Sequence, residues 1–430
     1  MMKRRLVKEL NNLINEKVLI EGWVHKIRSL KSITFLIIRD KSGLVQCVVD
    51  NNKFNVNDIT IESVVSVIGK VNEGKNSLNS FEVEVQSIDV INEAKESLPI
   101  EINKEELEVN LDTMLNNRVL SLRHKKVNAI FKIQNIIVNS FRKFLYNEGF
   151  TEIHTPKIVK EGAEGGTEVF EVKYFENKAY LAQSPQFYKQ MMVGAGFERV
   201  FEVGHAYRAE EHNTNRHLNE YVSMDLEMGF IESEVDLMEL EEQLLSYILR
   251  NIEIEGREYL RVLGVQLPQI NEEIPKIKFK KAINILKERY NKSDLVGDLD
   301  PEGEKLLCRY AKEKYNSDFI FITNYPRKKR PMYTMPCGEE ETHSFDLLFR
   351  GIEITTGGQR IHNYDMLVEN MKFKGLNPKN YESYLEVFKY GMPKHGGLAI
   401  GLERLTARIL GLENVREATL ITRDRKRLIP

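Results

Sequence analysis

The chain has 430 residues, enough for roughly two or three domains with sizeable cores. Its formal net charge is −2, which excludes a protein held to nucleic acid by bulk positive charge while leaving room for local basic patches. Cys47, Cys308 and Cys337 are odd in number and far apart, which argues against a disulfide framework or a zinc site and fits a reducing, cytoplasmic setting. No stretch approaches the roughly 18 uninterrupted apolar residues of a membrane span, so a soluble protein is expected.

The first hundred residues read as strands. KVLIEGWVHKIR, ITFLIIRD, LVQCVVD, ESVVSVIGKV and FEVEVQSIDVI are short, β-branched and partly alternating, with turn chemistry at Asp40-Lys41-Ser42-Gly43. Such a set predicts a small closed barrel, with an OB-fold ahead of other small barrels. The polar connector SLPIEINKEELEVNLDTMLNNR is expected to hold the domain boundary. The expected division is a barrel domain over 1–100, a linker over 101–124 and a second domain over 125–430.

In the second domain, VNAIFKIQNIIVNSFRKFLYNEGF carries apolar residues at helical spacing, with Gly149 as a stop. Strands and loops follow from Thr151. EVDLMELEEQLLSYILRNIE is another amphipathic helix, inside a mostly helical insertion over about 232–316. Strands return in DFIFITNYP and SFDLLFRGIEITTG, and GLERLTARILGL closes as a helix. Strands and helices without regular βαβ alternation predict an α+β fold with an antiparallel sheet flanked by helices.

Four segments concentrate polar chemistry. Glu202 to Ala206 and Tyr221 to Met228 can pair as strands around a loop crowded with Arg208, Arg216 and His217. A guanidinium at a strand end can grip a phosphate; a solvated hairpin tip with surface ion pairs is the bland alternative. In LAQSPQFYKQMMVGAG, Ser184 is expected as N-cap and Pro185 as the first helical residue, with Gln186 and Lys189 on one helical face. In SFDLLFRGIEITTGGQR, strict alternation would put Glu353 and Thr355 on one side of a strand and Ile354 and Thr356 on the other. Asp346 and Glu353 could then hold Mg²⁺ beside phosphates, or serve in ordinary ion pairs. GGLAIGLERLTARILGL is a glycine-rich strand running into a helix, with Arg404 on its first turn. It is not a Walker loop.

Taken together, these segments carry a resemblance. FLYNEGFTEIHTPKI, FEVGHAYRAEEHNTNRHLNEY and GLAIGLERL resemble motifs 1, 2 and 3 of the class II aminoacyl-tRNA synthetases, in the right order. The barrel places the chain with the aspartyl, asparaginyl and lysyl enzymes. EGGTEVF, QSPQFYKQ, RAEEHNTNRHLNE and YGMPKHGG most closely resemble the aspartyl-tRNA synthetases of archaeal type. The resemblance implies a class II catalytic domain that dimerises through motif 1 around Pro156. It implies two steps: aspartate and ATP give aspartyl-adenylate and pyrophosphate, and the aspartyl group then moves to the tRNA 3′ end.

By the same resemblance, Arg208 and Arg404 are the catalytic cations, with Arg208 on the α-phosphate. Glu210, Arg216, His217, Tyr221 and Glu353 complete the ATP site. Asp346, Glu353 and Thr356 match the family's Mg²⁺ region. Glu168, Gln186, Lys189, Asp225 and Arg360 match the amino-acid pocket, and Glu164 to Phe170 resembles a mobile loop that closes over it. A buried β-carboxylate needs a cation, which Lys189 and Arg360 supply. Asparaginyl enzymes usually lack the lysine, so aspartate is favoured over asparagine. A paralogue that no longer charges tRNA is the third reading; the barrel, Arg208 and Arg404 tell against it.

In the barrel, Arg28, Phe35 and Gln46 match positions that contact the anticodon, where an aromatic on an OB face stacks an unpaired base. A core Phe is the alternative for Phe35. His25 and Asn76 stand where enzymes restricted to tRNA-Asp often have Trp and Lys. The implied enzyme charges both tRNA-Asp and tRNA-Asn.

Overall fold

The structure is a computed structural model that describes residues 2–74, 76–160, 168–211, 214–270, 273–295 and 297–429. It divides into two compact units, Met1–Val109 and Asn110–Pro430. The division falls within the 101–124 stretch, and the short helices Leu111–Asn116 and Arg118–Ser121 belong to the second unit.

The first unit is a closed barrel of β1 (Lys17–Ser29), β2 (Ile33–Asp40), β3 (Gly43–Asp50), β4 (Val64–Glu73) and β5 (Phe81–Asn92), in the order β1-β2-β3-β5-β4. Its interior follows from period-2 alternation: Leu36, Ile38, Val45, Cys47, Val65, Val67 and Val83 point inward and are fully buried. Each such side chain contributes about 1.5–3 kcal/mol. The turn at Asp40 is held by its own carboxylate, whose Oδ1 accepts from Ser42 N, Ser42 Oγ and Gly43 N. Strand β1 carries a bulge between Val24 and Lys26, so His25 falls outside the ladder with β2.

The strands of the second unit are β6 (Thr151–Glu152), β7 (Ile158–Val159), β8 (Glu171–Tyr174), β9 (Asn177–Leu181), β10 (Arg199–Tyr207), β11 (Glu220–Gly229), β12 (Lys276–Lys278), β13 (Phe319–Thr323), β14 (Pro336–Cys337), β15 (Glu341–Thr342), β16 (Ser344–Phe349), β17 (Ile352–Arg360) and β18 (His395–Gly401). Eight of them form one sheet, ordered β12-β13-β16-β17-β18-β11-β10-β6, whose central pairs are antiparallel. Helices Lys125–Asn147, Glu234–Glu255 and Leu402–Leu410 bury their apolar faces against it, with Phe141, Leu244, Ile248, Leu398 and Leu405 in one core. The helix Glu234–Glu255 starts in a capping box in which Ser233 and Asp236 satisfy each other's backbone.

Two features of this sheet fix the site. Arg350 and Gly351, both at positive φ, make a two-residue hairpin that sets Phe349 opposite Ile352. Further along, Leu348 pairs with Glu353 but Leu347 pairs with Thr355, so Ile354 is an extra residue in β17. This corrects the alternation expected from the sequence. Thr356 Oγ1 donates to Glu353 Oε1 at 2.9 Å, while Thr355 Oγ1 turns to the buried Glu241 on the helix Glu234–Glu255. Glu353 thus shares its side of the strand with Thr356. Among the described residues, the segment 232–316 holds the helices Glu234–Glu255, Arg257–Leu263, Phe279–Tyr290 and Pro301–Tyr315, together with β12 at the edge of the sheet. No helix among the described residues is long and apolar enough to cross a membrane.

Candidate active site

The β10–β11 hairpin opens into the charged loop, and Asn219 holds that loop shut at its base. Its side-chain amide donates to Arg208 O at 2.7 Å and Glu210 O at 3.0 Å. Arg208 N in turn donates to Asn219 O, which brings Arg208 out at the end of β10. The loop, β17, β18 and the first turn of the helix Leu402–Leu410 line a cavity that is partly open to solvent. All seven residues expected around ATP line it: Arg208, Glu210, Arg216, His217, Tyr221, Glu353 and Arg404.

Within this cavity the Arg208 guanidinium stands 5.6 Å from the centre of the Tyr221 ring. Glu210 lies between Arg208, at 3.6 Å, and His217 Nε2, at 3.8 Å. Arg404 donates to Glu353 O at 3.1 Å and approaches its carboxylate at 3.8 Å. Burial raises the pKa of Glu353, but Arg404 and the Thr356 hydroxyl outweigh it and hold the group below the usual range. Arg216 is held from outside the motifs: both oxygens of Glu304 accept from its NH2 at 2.8 Å.

Of the three residues expected to hold Mg²⁺, Glu353 and Thr356 line the cavity. Asp346 does not. It pairs across the sheet with Thr356, but its carboxylate is buried against Arg330 at 2.6 Å. Burial pushes Asp346 up to about 6, the Glu353 charge adds to this, and Arg330 opposes it. Among the described residues no group of three or more His, Cys, Asp or Glu side chains is placed to hold a metal.

A second cluster lies where the helix Gln186–Met192 meets β11, β17 and β18. The helix starts one residue later than expected, with Pro185 as N-cap and Ser184 Oγ accepting from Gln186 N at 3.2 Å. Gln186 and Lys189 still share a face, and both are buried. Lys189 Nζ donates to Asp225 Oδ1 at 2.8 Å and lies 3.5 Å from Glu227 Oε2. Arg360 Nε donates to Glu227 Oε1 at 3.1 Å, and its NH2 donates to Gln186 Oε1 and Gly397 O. Gln186 Nε2 completes the set by donating to Glu227 Oε2. Glu227, which sequence reasoning passed over, is the hub. Burial alone would raise its pKa, but Arg360 and then Lys189 hold it below the usual range. Asp225 Oδ2 is buried without a hydrogen-bond partner, an oxygen suited to a ligand ammonium.

Glu168 is not drawn into that cluster. Its side chain is exposed, while its carbonyl accepts from Ala209 N and Gln183 Nε2. The mobile-loop reading of Glu164 to Phe170 lies, for 164–167, outside the described residues. Below Lys189, Gln190 Nε2 lies 2.8 Å from His395 Nε2 and its Oε1 accepts from Tyr384 OH. Burial pushes the His395 imidazole down to about 4.

On the barrel, Arg28 pairs with Phe35 and Gln46 with Ile37, so Arg28, Phe35 and Gln46 share the outer face of β1–β3. Phe35 is half-buried and lies outside the barrel core, which removes the core reading. His25 Nδ1 meets Arg39 NH1 at 3.2 Å, and burial together with Arg39 pushes the imidazole down to about 4. Asn76 organises the β4–β5 turn instead: its Oδ1 accepts from Leu78 N and Asn79 N, and its amide donates to Phe81 O.

The described residues thus hold a five-stranded closed barrel and an antiparallel sheet that carries an Arg-lined cavity and a buried cluster of ion pairs. Residues 110–425 match the family model of class II tRNA synthetases (D, K and N), and residues 18–91 match an OB-fold nucleic acid binding domain. The chain belongs to that synthetase family. It is 49% identical, over 99% of its length and 100% of the relative's, to the aspartate–tRNA(Asp/Asn) ligase of Thermus thermophilus. It is 44% identical, over the whole of both chains, to the aspartate–tRNA(Asp) ligase of Pyrococcus horikoshii. The crystal structure of the asparaginyl-tRNA synthetase of Pyrococcus horikoshii with asparaginyl-adenylate superposes with a TM-score of 0.92, at 30% identity and full coverage of both chains.

Proposed function

We propose that this enzyme attaches L-aspartate to tRNA by way of aspartyl-adenylate, and that it accepts both tRNA-Asp and tRNA-Asn. The charge count of the amino-acid pocket carries the choice of substrate. Lys189 and Arg360 are balanced by Asp225 and Glu227. Once the α-carboxyl is joined to AMP, an aspartyl group brings one ammonium and one carboxylate and leaves the pocket neutral. An asparaginyl group brings the ammonium alone and leaves a buried positive charge uncompensated, which is costly. The likeness to an asparaginyl enzyme in fold does not bear on this choice, since it is shared across the family.

In this reading the substrate ammonium sits on Asp225 Oδ2, and its side-chain carboxylate lies against Arg360 and Lys189. An α-carboxylate oxygen attacks the α-phosphorus of ATP and pyrophosphate leaves. Arg208 stabilises charge on the α-phosphate, Tyr221 and Arg404 take the two faces of the adenine, and Glu210, Arg216 and His217 order the rest of the nucleotide. Glu353 and Thr356 fit as oxygen donors to Mg²⁺, because this ion commonly takes one or two carboxylates plus substrate phosphates. When bound it would neutralise phosphate charge. Asp346 is paired with Arg330 through one carboxylate oxygen and does not line the cavity, and its Oδ1 is buried without a hydrogen-bond partner. The tRNA 3′-terminal hydroxyl then attacks the aspartyl carbonyl, and AMP leaves.

Acceptance of tRNA-Asn rests on His25 and Asn76 and is supported by the name of the Thermus thermophilus relative. A homodimer through the Phe144–Ile158 segment belongs to the same reading, supported by the exposure of Pro156 and Ile158. The test is charging of purified tRNA-Asp and tRNA-Asn with labelled aspartate and, in parallel, asparagine. Aspartate on both is expected. Asparagine on tRNA-Asn would overturn the pocket assignment, and aspartate on tRNA-Asp alone would overturn the relaxed specificity.

A further inference from the structure

Glu304 belongs to none of the three motifs and does not line the nucleotide cavity. It stands in the first turn of the helix Pro301–Tyr315, which Asp300 caps through Gly303 N at 2.7 Å. The amino end of a helix favours a carboxylate there. Glu304 is almost fully buried, and its two oxygens make three contacts. Both lie 2.8 Å from Arg216 NH2, and Oε2 also accepts from Glu353 N at 2.9 Å.

These contacts reach both sides of the cavity. Arg216 comes from the β10–β11 loop and Glu353 from β17. The Glu353 peptide is gripped at its carbonyl by Arg404 and at its amide by Glu304. With NH2 engaged, the Nε–H of Arg216 is buried and has no hydrogen-bond partner. Arg216 is therefore held with one donor against Glu304 while it lines the cavity.

We propose that Glu304 is a positioning residue for the nucleotide: from outside the cavity it sets Arg216 and the Glu353 strand at the spacing that ATP requires. This rests on the assignment of the cavity to ATP. Glu304 touches no substrate, so its loss acts through Arg216 and Glu353. A side chain misplaced by about 1 Å costs as much as a hundredfold in rate. Replacement by glutamine keeps the shape and removes the charge that fixes Arg216.

The experiment is ATP–pyrophosphate exchange by the full chain, varying ATP at saturating aspartate and aspartate at saturating ATP. Wild-type exchange that depends on aspartate is required first; its absence would sink the ATP assignment itself. Given that exchange, Glu304→Gln is expected to raise KM for ATP about tenfold to a hundredfold, with KM for aspartate almost unmoved. Glu304→Asp keeps the charge and should show a smaller rise in the same constant. The double variant with Arg216→Gln should be no worse than the poorer single variant, because the two residues act as one unit. An unmoved KM for ATP, a proportional loss for both substrates tracking a lowered Tm, or additive effects in the double variant would each overturn the proposal.

Discussion

Replacing Gly397 with alanine should disable the pocket proposed for the amino acid while leaving the cavity proposed for ATP formed. Gly397 pairs with Glu227 across β18 and β11. A Cβ built on it would stand 2.1 Å from Glu227 Oε2 and 2.2 Å from Leu226 O. Ordinary contact needs more than 3 Å, so the carboxylate must retreat by roughly 1 Å and the two strands must part. Glu227 holds Arg360, Gln186 and Lys189, so all three move with it. Overpacking of this kind costs about 1–3 kcal/mol of stability. Misplacing the groups that seat the substrate costs about a hundredfold in rate. In aspartate-dependent pyrophosphate exchange, kcat/KM for aspartate should therefore fall by about two orders of magnitude, with a much smaller change in KM for ATP. A Gly397→Ala enzyme within about threefold of wild type would refute the role given to Glu227.

Arg208→Ala should abolish exchange yet fold normally, because this side chain is 45% exposed; unfolding curves should agree within about 0.5 kcal/mol. Lys189→Met should lose aspartate binding and also cost about 3–5 kcal/mol in urea unfolding, since Asp225 would stay buried without its cation while Glu227 keeps Arg360; an unchanged midpoint would contradict the buried pairing. Phe35→Ala should raise KM for tRNA in charging by the equivalent of about 1–3 kcal/mol and leave pyrophosphate exchange untouched. His395 has a folded pKa of about 4 against an ordinary 6.5, so the unfolded chain takes up the proton first. Its contribution is full above pH 6.5 and is lost as pH falls toward 4, by roughly 3 kcal/mol at most. His395→Gln should flatten the acid limb of a stability–pH curve, and an identical slope would rule this out.

The barrel was legible because a small closed barrel must alternate, and Leu36, Ile38, Val45 and Cys47 do. The residues expected around ATP come from three short segments, and the structure brings them to one cavity. Other features depend on partners that no local pattern reveals. The extra residue at Ile354 exchanges the expected places of Thr355 and Thr356, and a strand read by strict alternation cannot show it. Arg330 comes from a loop between β13 and β14 to take the carboxylate of Asp346. Glu227 was within reach, being two residues from Asp225 and so on the same face. What the sequence could not show is that Gly397 leaves room for its carboxylate. Glu304 reads only as an acid in the first turn of a helix, and its bond to Arg216 spans 88 residues.

The bulge in β1 leaves one side chain outside the pairing that holds the strands together. Residue 25 stands outside the ladder that pairs Lys26 to Ser29 with Thr34 to Ile37. A different side chain there changes what the outer face offers to an RNA base without shifting any neighbour's register. On the reading that His25 governs which tRNA is accepted, a lineage can widen or narrow its set of tRNAs by one substitution without re-pairing the strands of the barrel. Selection on translation accuracy can then act at this position without changing the register that the rest of the barrel depends on.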